Sequence, residues 1–178
     1  MADLKLRKGV EGDFCDLADL YDRVIEANSG TAFDVHWDRS FHPSDAEISS
    51  AIETGTLYVG ERDGRIVAAA IVNDDFACGY ERTEWKVKAA EGEAVCVHLV
   101  VTDPDLQGQG LGLWFMQSVI EDVRACGFKV MRLDAYKHNE PACRLYERVG
   151  FEYRGVGHLE YDAMDVSFWE LSMYELAL

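Results

Sequence analysis

The segment from residue 94 to residue 127 constrains the fold more than any other part of the chain. It begins with Ala-Val-Cys-Val-His-Leu-Val-Val-Thr, an apolar and largely β-branched run that is typical of a central strand. Three glycines follow between positions 108 and 112, and apolar residues then recur at helical spacing until Gly127. The segment therefore predicts a buried strand that leads through a glycine-rich turn into an amphipathic helix.

Patterns on both sides of this unit predict further strands and helices. Phe14 begins an apolar stripe at helical spacing behind Asp13, a candidate N-cap, and residues 44–47 form a capping-box pattern ahead of a second helix. Asn139 can cap a later helix that ends at Gly150. Strands are predicted over 4–8, 56–61, 65–73, 94–102, 129–135, from 151 onward and over 166–178. This order is typical of a mixed α/β sheet with helices on both faces.

The chain has the size and composition of one globular domain. Its 178 residues are 48% hydrophobic and include only three prolines, and no repeat or linker interrupts the patterns. We therefore expect a single domain over residues 1–178. Acidic residues outnumber basic ones by 33 to 17, and the net charge of −16 opposes binding to a phosphate backbone or an anionic membrane. Nucleic acid and membranes are not expected partners.

The N-terminal segment, the cysteines and the histidines predict the cellular compartment and whether the chain binds a metal. The first residues lack an apolar signal segment, and no run reaches the roughly 18 apolar residues of a spanning helix. The five cysteines are odd in number and form no C-x-x-C pair, so we expect reduced thiols in the cytoplasm. The five histidines show no H-E-x-x-H pattern, so no metal site is expected.

The glycine-rich turn at 107–112 is a candidate anion site. Backbone N–H groups at a helix start have no partner within the helix, and the helix dipole favours negative charge there. Glycines let a ligand approach the backbone, which predicts a pyrophosphate; a flexible turn with incidental glycines is the alternative. A P-loop is excluded, because Leu113 and Trp114 stand where Lys and Ser/Thr are needed. A dinucleotide fingerprint fails because Leu113 replaces its third glycine.

Two motifs resemble those of the GNAT superfamily of N-acetyltransferases. Gln107, Gly110 and Gly112 meet the pattern Gln/Arg-x-x-Gly-x-Gly/Ala. A second family pattern, Asn-x-x-Ala-x-x-x-Tyr-x-x-x-Gly-Phe, runs from Asn139 to Phe151. The order of elements is similar over essentially the whole chain. The resemblance implies a GNAT-like central mixed, mostly antiparallel twisted sheet of about seven strands flanked by about four helices.

The resemblance also implies acetyl-CoA as co-substrate. Its pyrophosphate would contact the backbone of Gln107, Gly108, Gln109, Gly110, Leu111 and Gly112. Its pantetheine arm would pair with the backbone of Val100 and Thr102, and Asn139 would make a polar contact. Residues 107–150 contain six basic and five acidic side chains, so the rest of the chain carries −17. That acidity either attracts a cationic acceptor or serves solubility alone.

Transfer to an amine requires a base and an acid. A lysine-like amine with a pKa near 10.4 is protonated at neutral pH, so its lone pair must be freed before it attacks the thioester. His98 is the candidate base, at a position where some small-amine acetyltransferases of the family also have a histidine. A structural histidine is the alternative. The resemblance implies that Tyr146 is the general acid, with core packing as the alternative.

Direct transfer in a ternary complex is the expected mechanism. Cys96 is a competing nucleophile, but a cysteine in an apolar strand is more often a small buried residue whose pKa is raised. We therefore expect an acyltransferase that acetylates the primary amine of a small molecule. A catalytically silent acyl-CoA sensor or interaction domain, and acetylation of a protein amine, are the alternatives.

The acceptor itself is not identified by the sequence. Seven residues in two loop regions either line its pocket or are solvated: Asp34, His36, Trp37, Asp38, His158, Glu160 and Asp162. The sequence also leaves open whether the chain forms a homodimer.

Overall fold

The structure is a computed structural model that describes residues 3–160 and 169–178. The strands are β1 (Leu4–Lys8), β2 (Leu57–Arg62), β3 (Arg65–Asn73), β4 (Ala94–Thr102), β5 (Val130–Tyr136), β6 (Glu152–Leu159) and β7 (Trp169–Ala177). The α-helices in these ranges are α1 (Phe14–Asn28), α2 (Asp45–Glu53), α3 (Leu111–Ala125) and α4 (Glu140–Arg148). All seven strands form one sheet in the spatial order β1-β2-β3-β4-β5-β7-β6. The predicted mixed, mostly antiparallel α/β fold is confirmed.

Helices cover both faces of this sheet. α1 and α2 pack on one face, where Leu20 is fully buried, and α3 and α4 pack on the other, where Phe115 is fully buried. Ala68 and Ala69 are neighbours in β3, yet they belong to opposite cores. The alternation of side chains along a strand therefore gives this apolar strand two buried faces, as its continuous hydrophobic pattern requires.

Two of the three predicted helix caps are confirmed, and one is wrong. Ser44 Oγ accepts from the Glu47 N–H at 3.2 Å while Glu47 Oε2 accepts from the Ser44 N–H at 2.6 Å. Asn139 Oδ1 accepts from the Ala142 N–H at 3.4 Å at the start of α4. Asp13 precedes α1 but does not cap it with its side chain. Its carboxylate instead accepts two hydrogen bonds from Arg7, at 2.6 and 2.9 Å, and one from the Val10 N–H at 2.9 Å, so it binds the residues that precede α1.

The parallel neighbours β4 and β5 separate part of the way along the sheet. Among the described residues they pair only from Ala94↔Val130 to Cys96↔Arg132. Beyond Cys96, β4 continues against β3, with a register irregularity where Leu99 has a φ of 52°. β5 continues against β7. The result is a cleft between the second halves of β4 and β5.

The last strand was predicted over 166–178; β7 begins at Trp169, and residues 166–168 lie outside the described residues.

No helix within residues 3–160 and 169–178 has the length and apolarity needed to cross a membrane.

Candidate functional site

The turn between β4 and α3 exposes its backbone to open space. Gly108 and Gly110 both have a φ of 76°, a left-handed conformation that favours glycine, and Gly110 is the N-cap of α3. A Cβ atom added at either glycine would meet no atom beyond the neighbouring residues within 4 Å in the described chain. The first turn of α3 has no acidic residue. Its unpaired N–H groups and the helix dipole therefore favour an approaching anion.

Gly112 has a packing role that Gly108 and Gly110 lack. A Cβ atom at this position would lie 3.2 Å from Leu145 Cδ2 and 3.6 Å from Thr102 Cγ2. The missing side chain therefore lets α3 lie close to both α4 and the end of β4. All three glycines were expected to allow ligand approach, whereas Gly112 makes contacts within the protein.

Charged side chains that the sequence analysis missed hold the two ends of the turn. Asp103 is buried and accepts from Arg23 Nη1 at 2.8 Å and from the Asp105 N–H at 3.0 Å. Arg62 Nη1 donates to Gln109 Oε1 at 2.8 Å. These contacts connect α1 and β2 to the turn. No local pattern signals them, because Arg23 and Asp103 are 80 positions apart.

A cavity of about 180 Å³ lies in the cleft between β4 and β5, and we call it the reaction cavity. Its lining includes His98, Val100, Asn139 and Tyr146, all of which the sequence analysis assigned to the site. Thr102 and residues 107–112 are not part of the lining. The structure therefore brings the two candidate catalytic residues into one cavity and leaves the glycine turn beside it.

His98 is largely buried in the wall of the reaction cavity. Its Nε2 atom has no hydrogen-bond partner among the described residues, and its Nδ1 atom lies 4.0 Å from Cys96 Sγ. Burial lowers the pKa of His98 below its ordinary value of 6.5, although the Asp134 carboxylate and Asp75 act in the opposite direction. The imidazole is therefore neutral at pH 7, which is the state that can accept a proton.

Tyr146 packs as a core residue and also lines the reaction cavity. Its ring centroid lies 6.1 Å from those of both Phe151 and Tyr174. Burial raises the pKa of Tyr146 above its ordinary value of 10.0, so the phenol is protonated at neutral pH. Core packing and proton donation were treated as alternatives, but one side chain can serve both here.

Cys96 is fully buried and does not line the reaction cavity. Burial, together with the nearby Asp134 carboxylate, raises the pKa of its thiol well above the ordinary value. The Tyr80 hydroxyl lies 3.2 Å from Sγ. Because the thiolate is the nucleophilic form, this environment disfavours attack by Cys96 on a thioester.

Asp134 lines the reaction cavity but is not among the predicted site residues; the sequence offered it only as the ribose acid of the excluded dinucleotide fingerprint. It lies in β5, and Tyr80 donates a hydrogen bond of 2.5 Å to its Oδ1 atom. Tyr136, two residues further along the strand, lines the same cavity. The available signal was a carboxylate in the middle of a predicted strand, a position where charged side chains are uncommon.

The loop residues proposed for the acceptor pocket are distributed unevenly. Trp37 lines the reaction cavity and packs against Tyr21 and His42, with ring centroids 6.3 and 6.1 Å apart. Glu160 lines a second cavity, described below. The others within the described residues line neither one: Asp34, His36, Asp38 and His158. Asp162 lies outside the described residues.

The second cavity has a volume of about 780 Å³ and adjoins the reaction cavity. We call it the acidic groove, because its lining includes Glu47, Asp74, Asp75 and Glu160. His42, His98 and Leu99 line both spaces. His42 Nδ1 lies 2.9 Å from Glu47 Oε1. Burial alone would raise the pKa of Glu47, but its hydrogen bonds with His42 and Ser44 hold that pKa at about 2. Glu47 is therefore ionised at neutral pH.

Comparison with known proteins gives a family match and partial relatives. A family model described as the acetyltransferase (GNAT) family matches residues 19–151. An L-methionine sulfoximine/L-methionine sulfone acetyltransferase from Pseudomonas aeruginosa is 34% identical over 80 residues, covering 43% of this chain and 46% of that protein. An uncharacterised N-acetyltransferase from Methanocaldococcus jannaschii is 29% identical over 72 residues, covering 40% and 32%. The matched segments span less than half of these relatives.

Solved structures are similar over nearly the whole chain. A GNAT-family acetyltransferase from Streptococcus agalactiae superposes with a TM-score of 0.80 at 19% identity, covering 98% of this chain and 95% of that one. A Salmonella typhimurium protein solved with its cofactor acetyl-CoA superposes with a TM-score of 0.65 at 20% identity, covering 98% and 94%. At these identities the similarity shows the fold.

Proposed function

The chain belongs to the acetyltransferase (GNAT) family, and from this premise we propose that it transfers an acetyl group from acetyl-CoA to the primary amine of a small molecule. The observation that carries the proposal is the reaction cavity, which both a neutral His98 and a protonated Tyr146 line. Aminolysis of a thioester needs a base for the ammonium and an acid for the thiolate. We also propose that residues 1–178 form one acetyltransferase domain.

Acetyl-CoA fits the surroundings of the reaction cavity. Residues 107–112 would donate backbone hydrogen bonds to its pyrophosphate, because Gly108 and Gly110 leave the space beside the turn open. Val100 and Thr102 would pair with its pantetheine arm, since described β4 residues beyond Cys96 have no ladder to β5. Asn139 lines the same cavity and would supply a polar contact.

Three proton transfers accompany the proposed acetyl transfer. His98 takes a proton from the acceptor ammonium, and the freed nitrogen attacks the carbonyl carbon of the thioester. A C–N bond forms, the C–S bond breaks, and Tyr146 gives its proton to the departing sulfur. The second proton that the nitrogen loses returns the Tyr146 phenolate to its neutral form, so the products are the amide, the CoA thiol and a protonated His98. The transfer is direct in a ternary complex, because Cys96 is buried outside the cavity as a neutral thiol.

The acceptor is proposed to be cationic. The chain outside residues 107–150 carries a formal charge of −17, and such a charge raises the local concentration of cations near the surface. The effect on encounter rate depends on ionic strength, since exposed charges are screened over about 8 Å at physiological salt. A cationic preference that disappears at high salt would agree with this origin.

A panel of amines tests the proposed function. The purified chain is incubated with acetyl-CoA and one amine at a time, and free CoA thiol is followed with a chromogenic reagent. We expect thiol release that depends on the amine, with cationic amines preferred over neutral or acidic amino acids. Binding of acetyl-CoA without amine-dependent release would instead identify an acyl-CoA sensor.

A further inference from the structure

The acidic groove lies next to the reaction cavity and has a distinct lining. Four carboxylate residues line it: Glu47, Asp74, Asp75 and Glu160. Its described lining contains no Lys or Arg. A space of about 780 Å³ with this charge favours a cationic guest, because a cleft lined by one sign of charge raises the local concentration of ions of the opposite sign.

The four carboxylates differ in how far the protein already neutralises them. Glu47 contacts His42 and Ser44, and Glu160 lies 3.5 Å from Arg82 Nη1. Asp74 and Asp75 are exposed in the loop after β3, and no ion pair joins either one to another described residue. These two aspartates therefore hold the uncompensated charge of the groove.

A buried polar atom supplies a second and independent observation. His98 lines both the acidic groove and the reaction cavity, and its Nε2 atom is buried without a hydrogen-bond partner among the described residues. A buried polar group without a partner is costly, so such an atom indicates a ligand or water. The groove therefore opens onto the residue that the proposed reaction uses as its base.

We propose that the acidic groove binds a second ammonium group of the acceptor, which makes the acceptor a dicationic amine of the diamine type. This inference rests on the proposed function. One amine reaches His98 and the thioester, while the other lies near Asp74 and Asp75. A monoamine of the same length makes only the first of these interactions.

Matched acceptors test the inference. Diaminobutane and butylamine have the same chain length and similar reactive amines, but diaminobutane has two equivalent amines and therefore a second positive charge. We expect the wild-type kcat/KM for diaminobutane to exceed that for butylamine about tenfold, with about fivefold from the exposed ion pair and about twofold from the two equivalent amines of the diamine. In the double variant Asp74→Asn/Asp75→Asn this ratio should fall to about two, which is the statistical factor for two amines against one.

A control variant removes two negative charges from positions outside both cavities. Glu91 and Glu121 are exposed and line neither cavity, so Glu91→Gln/Glu121→Gln should keep the tenfold ratio. A wild-type ratio of about two or less overturns the inference, as does an equal loss of the ratio in the control variant. Either result leaves the proposed acetyl transfer standing, because both amines are still acetylated.

Calorimetry with CoA present separates failure of the groove from failure of the chemistry. If neither amine is acetylated, the proposed function fails, and the dissociation constants decide the inference alone. Tighter binding of diaminobutane to the wild type than to Asp74→Asn/Asp75→Asn supports the groove. Equal binding to both proteins overturns it.

Discussion

Replacing Gly110 by alanine tests whether the backbone of the glycine turn binds acetyl-CoA. Gly110 has a φ of 76° and open space beside it. The variant therefore adds one Cβ atom where the pyrophosphate is proposed to lie. We expect the dissociation constant for acetyl-CoA to rise at least about tenfold, which corresponds to about 1.4 kcal/mol. Isothermal titration calorimetry measures it directly.

The same substitution also strains the backbone, and this cost must be separated from ligand contact. A non-glycine residue in the left-handed region costs about 1 to 2 kcal/mol. For a chain of this length, such a loss lowers Tm by about 3 to 5 °C. Gly127, at the other end of α3, has a φ of 88° and equally open surroundings, so Gly127→Ala is the matched control.

Both alanine variants should lose similar thermal stability, and only Gly110→Ala should lose affinity for acetyl-CoA. A folded Gly110→Ala protein that binds acetyl-CoA as tightly as the wild type would refute the role of this turn. Equal weakening in both variants would assign the effect to strain in α3.

Three further predictions concern side chains of the two cavities. Tyr146→Phe keeps the ring contacts with Phe151 and Tyr174 and removes the proton donor. We therefore expect kcat to fall about 10²-fold while the acetyl-CoA dissociation constant is unchanged. Stopped-time assays measure kcat, and calorimetry measures the dissociation constant. His98 must be neutral to accept a proton, and burial lowers its pKa. We therefore expect kcat/KM to be maintained at pH 6.5 and to decline only at lower pH. In the His98→Gln variant this decline at low pH should be absent. Glu47 has a pKa of about 2, below its unfolded value, so its contribution to stability is present above the unfolded pKa and is lost as pH falls towards 2. The Tm difference between wild type and Glu47→Gln should accordingly shrink between about pH 5 and pH 2.

Local patterns predicted those parts of the fold that depend on neighbouring residues. The β-branched run of β4, the glycine turn and the stripe of α3 are encoded within one continuous segment, and Asn139 caps α4 through a residue three positions away. The order of elements followed from the same signals. These features need no knowledge of which strands meet in space.

The candidate site depends on contacts that no local pattern contains. Tyr80 and Asp134 are 54 positions apart, and their hydrogen bond forms because the connection between β3 and β4, which contains Tyr80, folds back against β5. The separation of β4 from β5 after Cys96 creates the reaction cavity, and periodicity does not signal it. Asp13 shows the same limit on a smaller scale, because Arg7 from β1 takes the carboxylate that was expected to cap α1.

The central claim is direct acetyl transfer from acetyl-CoA to an amine, and mass spectrometry of all species in one reaction tests it most directly. After incubation with acetyl-CoA and diaminobutane, we expect acetylated amine in an amount equal to the CoA thiol released, with the intact mass of the protein unchanged. Thiol release without acetylated amine, or an acetyl group that accumulates on the protein before reaching the amine, would contradict the account.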